Sequence, residues 1–226
     1  MTESFEKTKV AGSIAAGALD EVNNIIKPGV STSEIDKLCY EYINDHKAFS
    51  APLYYRGYPK SCCTSSNHVV CHGIPSEKIL NDGDILNVDV TAIKDGWHGD
   101  TSRMFVVGEC SVKAKKLIKT TYEAMMEAIK IIKANIKIGN IGYTIQKIVE
   151  AEGFSVVRDF CGHGIGKKFH ESPNVLHYGE KNSGQELKAG MIFTVELMIN
   201  YGKFETKTLK DGWTAVTKDK SLSAQF

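Results

Sequence analysis

Asp89 and Asp100 flank an Asp95-Gly96 dipeptide between two apolar-rich stretches. A two-residue loop there makes a hairpin and fixes its register. Lys94 then faces Trp97, Thr91 faces Asp100, and Asp89 faces Ser102. The two aspartates fall diagonally on one sheet face, within side-chain reach of each other. Val88, Val90, Ala92 and Phe105 take the other face, which suits a core. Carboxylates this close repel unless one is protonated or a cation joins them. A divalent ion suits carboxylate oxygens. Taken alone, the pair fits a solvated sheet face equally well.

An internal repeat adds a third acid and two histidines. Lys27-Pro-Gly29 through Leu38 resembles Lys137-Ile-Gly139 through Ile148. Cys71-His72-Gly73-Ile74 resembles Gly162-His163-Gly164-Ile165, and Asp95-Gly96-Trp97 matches Asp211-Gly212-Trp213. Gly83-Asp-Ile85 through Asp89 resembles Gly190-Met-Ile192 through Glu196, so Glu196 takes the place of Asp89. Glu196 sits in the apolar run Met191 to Met198, which reads as a strand. A carboxylate inside such a strand is costly to bury unless paired or metal-bound. His72 and His163 read as residues of glycine-flanked turns, from which an imidazole can point into a cleft. His170 follows shortly after and can reach the same cleft. His46, His68, His98 and His177 lack this context and read as surface or structural residues.

The elements that position these residues follow from periodicity. Residues 4–27 read as a helix capped by Ser4 and ended by Pro28-Gly29, with Val10, Ile14, Ala18 and Val22 on its apolar stripe. Ser31 to His46 reads as a second helix, Lys113 to Asn135 as a third and Gly142 to Glu152 as a fourth. Gly83 to Ala92 and Trp97 to Val107 are the hairpin strands. Residues 48–80 read as loops and short strands, and 153–226 as strands and glycine-rich loops.

Composition excludes several classes. The chain has 226 residues, 42% hydrophobic and 24% charged, ample for a buried core. Its 28 basic and 27 acidic residues give a net charge of +1, with no footprint for nucleic acid or an anionic membrane. No apolar run approaches the ~18 residues of a spanning helix. The polar Met1 to Lys9 stretch has no signal-peptide core. The 6 cysteines follow no CxxC spacing and read as reduced thiols of a cytoplasmic protein. Cys62-Cys63 reads as packing or pocket lining, and Cys71 beside His72 is a weak candidate nucleophile. There is no GxSxG elbow, and Gly162-His-Gly164-Ile-Gly166 is neither a Walker loop nor a dinucleotide fingerprint.

Together these stretches resemble the type I methionine aminopeptidases. The resemblance rests on Val69-Val-Cys-His-Gly-Ile-Pro75, Gly83 through Val90, Asp95-Gly-Trp-His-Gly-Asp-Thr-Ser102 and Gly162-His-Gly-Ile-Gly166. Tyr58-Pro-Lys-Ser61, Phe169-His-Glu-Ser-Pro173, Phe193-Thr-Val-Glu196 and Lys210-Asp-Gly-Trp-Thr214 extend it over nearly the whole chain. It implies an α/β pita-bread fold: one catalytic domain, 1–226, of two pseudosymmetric repeats, about 4–110 and 111–226, with a mixed, largely antiparallel sheet backed by helices. It implies removal of the initiator Met from nascent polypeptides with a small second residue. By resemblance, Asp89, Asp100, His163 and Glu196 hold two divalent ions (Co, Mn, Fe or Zn). His72 and His170 hold the scissile peptide and stabilise its tetrahedral intermediate, and Glu196 shuttles a proton. Tyr55, Tyr58, Cys63, Phe169 and Trp213 line the pocket for the Met side chain, together with the two histidines. The implied setting is a cytoplasmic monomer near the ribosome, binding no specific nucleic acid and no membrane. A non-catalytic binding module of the same fold and a prolidase-like, proline-specific relative are the alternatives.

Two departures from the family pattern shape the expectations. Leu197 stands where the family has Pro after the ligand Glu. The family also carries a ligand Glu directly after Ser-Ala-Gln-Phe, where the sequence given stops at Phe226. For the chain as written the expectation is weakened binding at the second ion, reduced activity and an unpaired strand edge.

Overall fold

The structure, a computed structural model, describes residues 3–226. Helix α1 (Glu3–Ile25) buries Ala11, Ile14, Ala15, Ala18, Leu19 and Val22. Val10, expected on that stripe, is exposed, and Ser4 lies inside the first turn rather than at the cap. Helix α2 (Thr32–Asp45) starts from a capping box: Ser31 Oγ accepts from Glu34 N at 3.2 Å, and Glu34 Oε2 accepts from Ser31 N at 2.7 Å. Strands β1 (Phe49–Ser50), β2 (Cys63–Ser66), β3 (Val69–Cys71), β4 (Ile85–Lys94) and β5 (Trp97–Val106) follow. Helix α3 (Val112–Lys130) is capped by Ser111. It ends earlier than its apolar periodicity suggests, because the chain beyond it turns away. Asn135 is left-handed (φ 71°) and its N–H bonds Leu187 O at 2.8 Å. Helix α4 (Gly139–Ala151) correspondingly begins before Gly142.

Strands β6 (Ser155–Val156), β7 (Gly162–Gly164), β8 (Glu171–Val175), β9 (Met198–Asn200), β10 (Thr206–Thr208), β11 (Ala215–Thr217) and β12 (Ser223–Gln225) complete the chain. All pairings are antiparallel: β1-β4-β2 with β5 on β4, then β10-β11-β3, β12-β9-β6 and β7-β8. Two expectations fail here. The run from Met191 to Leu197 is not a strand; it joins the sheets only through a bridge from Phe193 to Gly164. The edge expected to be bare is covered, since β9 lies between β12 and β6, and Ser223, Ala224 and Gln225 are buried.

Two main cores result. One joins α1 and α2 to β4, through residues such as Leu19, Ile35, Leu86 and Val88. The other joins α3 and α4 to β9 and β12, through Leu117, Ile145, Ile199 and Ala224. Small residues let α1 lie directly on β5. A Cβ at Gly99 would stand 2.0 Å from the Gly12 nitrogen, whereas a Cβ at Gly12 would meet nothing within 4 Å. Gly99→Ala should therefore cost about 1–3 kcal/mol through overpacking. Gly12→Ala should stabilise by up to about 1 kcal/mol through helix propensity. Thermal melts of the two variants should move in opposite directions; equal shifts would contradict the close approach.

Candidate active site

The hairpin positions the first two acids. Asp89 pairs with Ser102, Thr91 with Asp100 and Lys94 with Trp97. Thr91 Oγ1 donates to Asp100 Oδ1 at 2.8 Å and orients that carboxylate. His163 stands on β7 rather than in a turn. Its Nδ1 lies 3.0 Å from Gly164 O, and a carbonyl only accepts, so Nδ1 carries a proton. Nε2 then faces Glu196 Oε1 at 3.3 Å and Asp100 Oδ2 at 3.7 Å. Glu196 is held from two sides. Thr194 Oγ1 donates to its Oε1 at 2.6 Å, and its backbone N–H donates to His177 Nε2 at 3.3 Å. Thr194 Oγ1 also accepts from the His163 backbone N–H at 2.9 Å, tying the Glu196 carboxyl to the main chain of His163.

One ligand atom each from Asp100, His163 and Glu196 lies within 4.8 Å of the others. Converging acceptor atoms of this kind need positive charge between them, and carboxylate with imidazole suits a divalent transition ion. The donor set therefore fits a metal. Asp89 lies outside that tight trio and lines the same cavity. Burial is the main force on these acids. It lifts the Asp89 carboxyl well above its usual range, aided by Asp100 and Glu196. It raises Asp100, and with the Asp100 charge it pushes Glu196 up to about 8.

The cavity has a volume of about 360 Å³. Tyr58 and Trp213 meet edge-on with centroids 5.1 Å apart, and Tyr55 meets Phe169 likewise at 5.1 Å. Cys63 completes that apolar wall. Tyr58 Oη is spent on the carbonyls of Cys62 at 3.0 Å and Gly73 at 3.1 Å, so its ring is fixed. Burial pushes the Tyr58 phenol and the Cys63 thiol up, keeping both neutral. His72 and His170 line the same cavity. His72 sits just after β3 with a left-handed backbone (φ 56°), a strain that concentrates at functional sites. Its ring is edge-on to Phe160 at 5.4 Å, and burial lowers its pKa. His170 Nδ1 lies 3.0 Å from Tyr55 Oη. Burial, then His163, pushes His170 down to about 4.

Two histidines that read as surface or structural residues support this site from beneath, and neither is at the surface. His98 is buried, with Nδ1 3.0 Å from Gly166 O and its ring stacked on Phe169 at 5.7 Å. Phe169 in turn stacks on His170 at 4.2 Å. The signal was available: His98 lies two places before Asp100 on one strand, hence on the same face. His177 is fully buried, and burial pushes it down to about 3.

These shifts set a pH dependence for the metal-free protein. Between about pH 6.5 and 8 the folded state holds a proton on Glu196 that the unfolded chain releases near 4.5. Asp89 acts in the same direction. Stability falls with rising pH wherever the native state binds more protons. The lowered histidines act oppositely, and only below their unfolded value of 6.5. Melts in chelator should therefore show the melting temperature dropping from pH 6.5 to 8; a flat or rising trend would rule out the buried acidic cluster. Divalent metal should reverse the trend, because it binds the deprotonated acids.

A half-buried carboxylate–imidazole donor set opening onto an apolar pocket is the arrangement of a metallohydrolase. Residues 6–220 match metallopeptidase family M24. The methionine aminopeptidase of Escherichia coli (strain K12) is 55% identical over 226 residues, covering 99% of this chain and 86% of that protein. The crystal structure of methionine aminopeptidase from Rickettsia prowazekii superposes with a TM-score of 0.98 at 54% identity, covering 100% of this chain and 92% of that one. Prolidase from Pyrococcus furiosus, at 21% identity and a TM-score of 0.77, shares the fold over 60% of its own length. The chain belongs to metallopeptidase family M24 and, within it, to the methionine aminopeptidases, with their pita-bread α/β fold. It is a metallo-aminopeptidase, a hydrolase that uses divalent metal. Among the described residues no helix is long and apolar enough to cross a membrane.

Proposed function

We propose that this enzyme removes the N-terminal methionine from nascent polypeptides whose second residue is small. The observation that carries this reading is the pocket of Tyr58, Cys63, Phe169 and Trp213 opening directly onto the donor set. A thioether suits aromatic and sulfur surroundings. Asp89, Asp100, His163 and Glu196 would hold two divalent ions, with Mn, Fe, Co and Zn all compatible with these ligands. When bound, such ions lower the pKa of water and polarise a carbonyl. His170 and His72 hold the scissile peptide and donate to its oxygen as charge develops there. Glu196 carries the proton from water towards the leaving amine.

The two repeats, about 4–110 and 111–226, are supported by the two hydrophobic cores. Work near the ribosome in the cytoplasm, as a monomer, rests on the likeness to the methionine aminopeptidases. Release of Met from Met-Ala-Ser, set against cleavage of an Ala-Pro peptide, tests the reaction. Met release alone supports the reading, and Ala-Pro cleavage alone would transfer the site to a proline-specific reaction.

A further inference from the structure

The loop closing the cavity mouth carries a cation that the reading above leaves unused. A 3₁₀ turn, Tyr55–Gly57, forms the rim, braced by Tyr54 N to Tyr58 O at 2.8 Å and Tyr55 N to Pro52 O at 2.9 Å. Arg56 has a left-handed backbone (φ 49°, ψ 29°), as does Tyr54 (φ 65°, ψ 3°). Such conformations are strained for residues with a Cβ and cluster at ligand clamps. Arg56 is exposed yet lines the cavity, whose other charged groups are the half-buried acids Asp89, Asp100 and Glu196. Its guanidinium rests 5.4 Å from the Tyr55 ring centroid and makes no ion pair among the described residues. Tyr55 Oη reaches His170 Nδ1, so Arg56 lies one side chain beyond a histidine that faces the scissile peptide.

We propose that Arg56 is a specificity-determining residue that favours acidic side chains at the third or fourth position of the substrate peptide. The inference rests on the aminopeptidase reading. With the methionine in the apolar pocket and the scissile bond at the acids, the remaining peptide extends towards the exposed rim. An extended chain advances about 3.3 Å per residue. The third and fourth residues therefore come within reach of a long side chain next to His170. An unpaired guanidinium attracts a carboxylate there and repels an ammonium. The charge is at a solvated rim, so the effect is modest and screened by salt.

The test compares kcat/KM for C-terminally amidated Met-Ala-Asp-Ser and Met-Ala-Ser-Asp with their Lys counterparts. Wild type should favour the acidic peptides by about 2- to 5-fold at low ionic strength, shrinking towards parity near 0.5 M salt. Arg56→Lys should keep the preference. Arg56→Asn, whose side chain tolerates the left-handed backbone, should erase it, and Arg56→Glu should invert it. Melts of each variant confirm folding. Equal ratios in wild type and Arg56→Glu, or a preference indifferent to salt, would overturn the assignment while Met release continued. Absence of Met release from every peptide by wild type would overturn the aminopeptidase reading and this inference with it.

Discussion

Glu196→Gln should lower kcat/KM by at least about 10³-fold while raising the stability of the metal-free protein. Several kcal/mol of charge stabilisation come from a catalytic metal, and each 1.36 kcal/mol is tenfold in rate. The variant keeps the shape of the site. A Gln oxygen still accepts from Thr194 Oγ1, as Glu196 Oε1 does at 2.6 Å, and the backbone N–H still meets His177. What disappears is the cost of holding a proton, up to about pH 8, on a carboxyl that the unfolded chain ionises near 4.5, a cost set by burial and Asp100. Three readouts separate this from simple damage. The metal-free melting temperature rises, the shift produced by added Mn²⁺ shrinks or vanishes, and the fall in stability between pH 6.5 and 8 is blunted. A variant that melts lower without metal and still gains the full metal shift would remove Glu196 from the ligand set.

How much of this site the sequence revealed differs from residue to residue. The hairpin was fully legible, because Asp95-Gly96 is a strong turn and strand period 2 then dictates which side chains share a face. Thr91 facing Asp100 follows from that register, and the hydrogen bond between them realises it. Glu196 was legible as a buried acid but not in its backbone. Eight largely apolar residues in a row look like a strand, yet the segment is pinned piecemeal. Thr194 N bonds His163 O at 2.8 Å, Ile165 N bonds Ile192 O at 3.2 Å, and only from Met198 does a regular ladder begin. Irregular pairing of this kind depends on the partner strand, which periodicity cannot supply.

Support from a distance was equally hidden. His177 meets Glu196 across the fold, and only the resemblance, not residue spacing, pointed to the aromatic wall of the pocket. The helix ends show the same limit. The apolar face of α3 continues past Lys130, but the backbone there is claimed by Leu187 and Gln185. Arg56 illustrates the converse: a charged residue between Tyr55 and Gly57 looks like ordinary loop until the fold places it at the cavity rim.

His170→Ala should reduce kcat by roughly 10²–10³-fold, the worth of one preorganised donor to a developing oxyanion, with metal binding unchanged. The contact with Tyr55 suits an imidazole that donates from Nε2. Burial pushes the imidazole down to about 4, so it is neutral at neutral pH and bears a single N–H. Tyr55 Oη, 3.0 Å from Nδ1, can donate to that nitrogen and leave the proton on Nε2. The ring plane is set by Phe169 at 4.2 Å, itself stacked on the buried His98. Nothing needs to reorganise when charge appears, which is what makes such a donor effective. Tyr55→Phe should then cost less than the full loss, because it frees the tautomer without removing the donor. His98→Ala should lie between the two, loosening Phe169 and so the ring it supports. All three should retain the Mn²⁺-induced thermal shift, since none supplies an atom of the Asp100, His163 and Glu196 trio. If His170→Ala instead lost the metal shift, the imidazole would belong to the ligand set and the donor role would fall. If it kept both metal and full kcat, the oxyanion would have to be stabilised from the other side of the cavity, by His72.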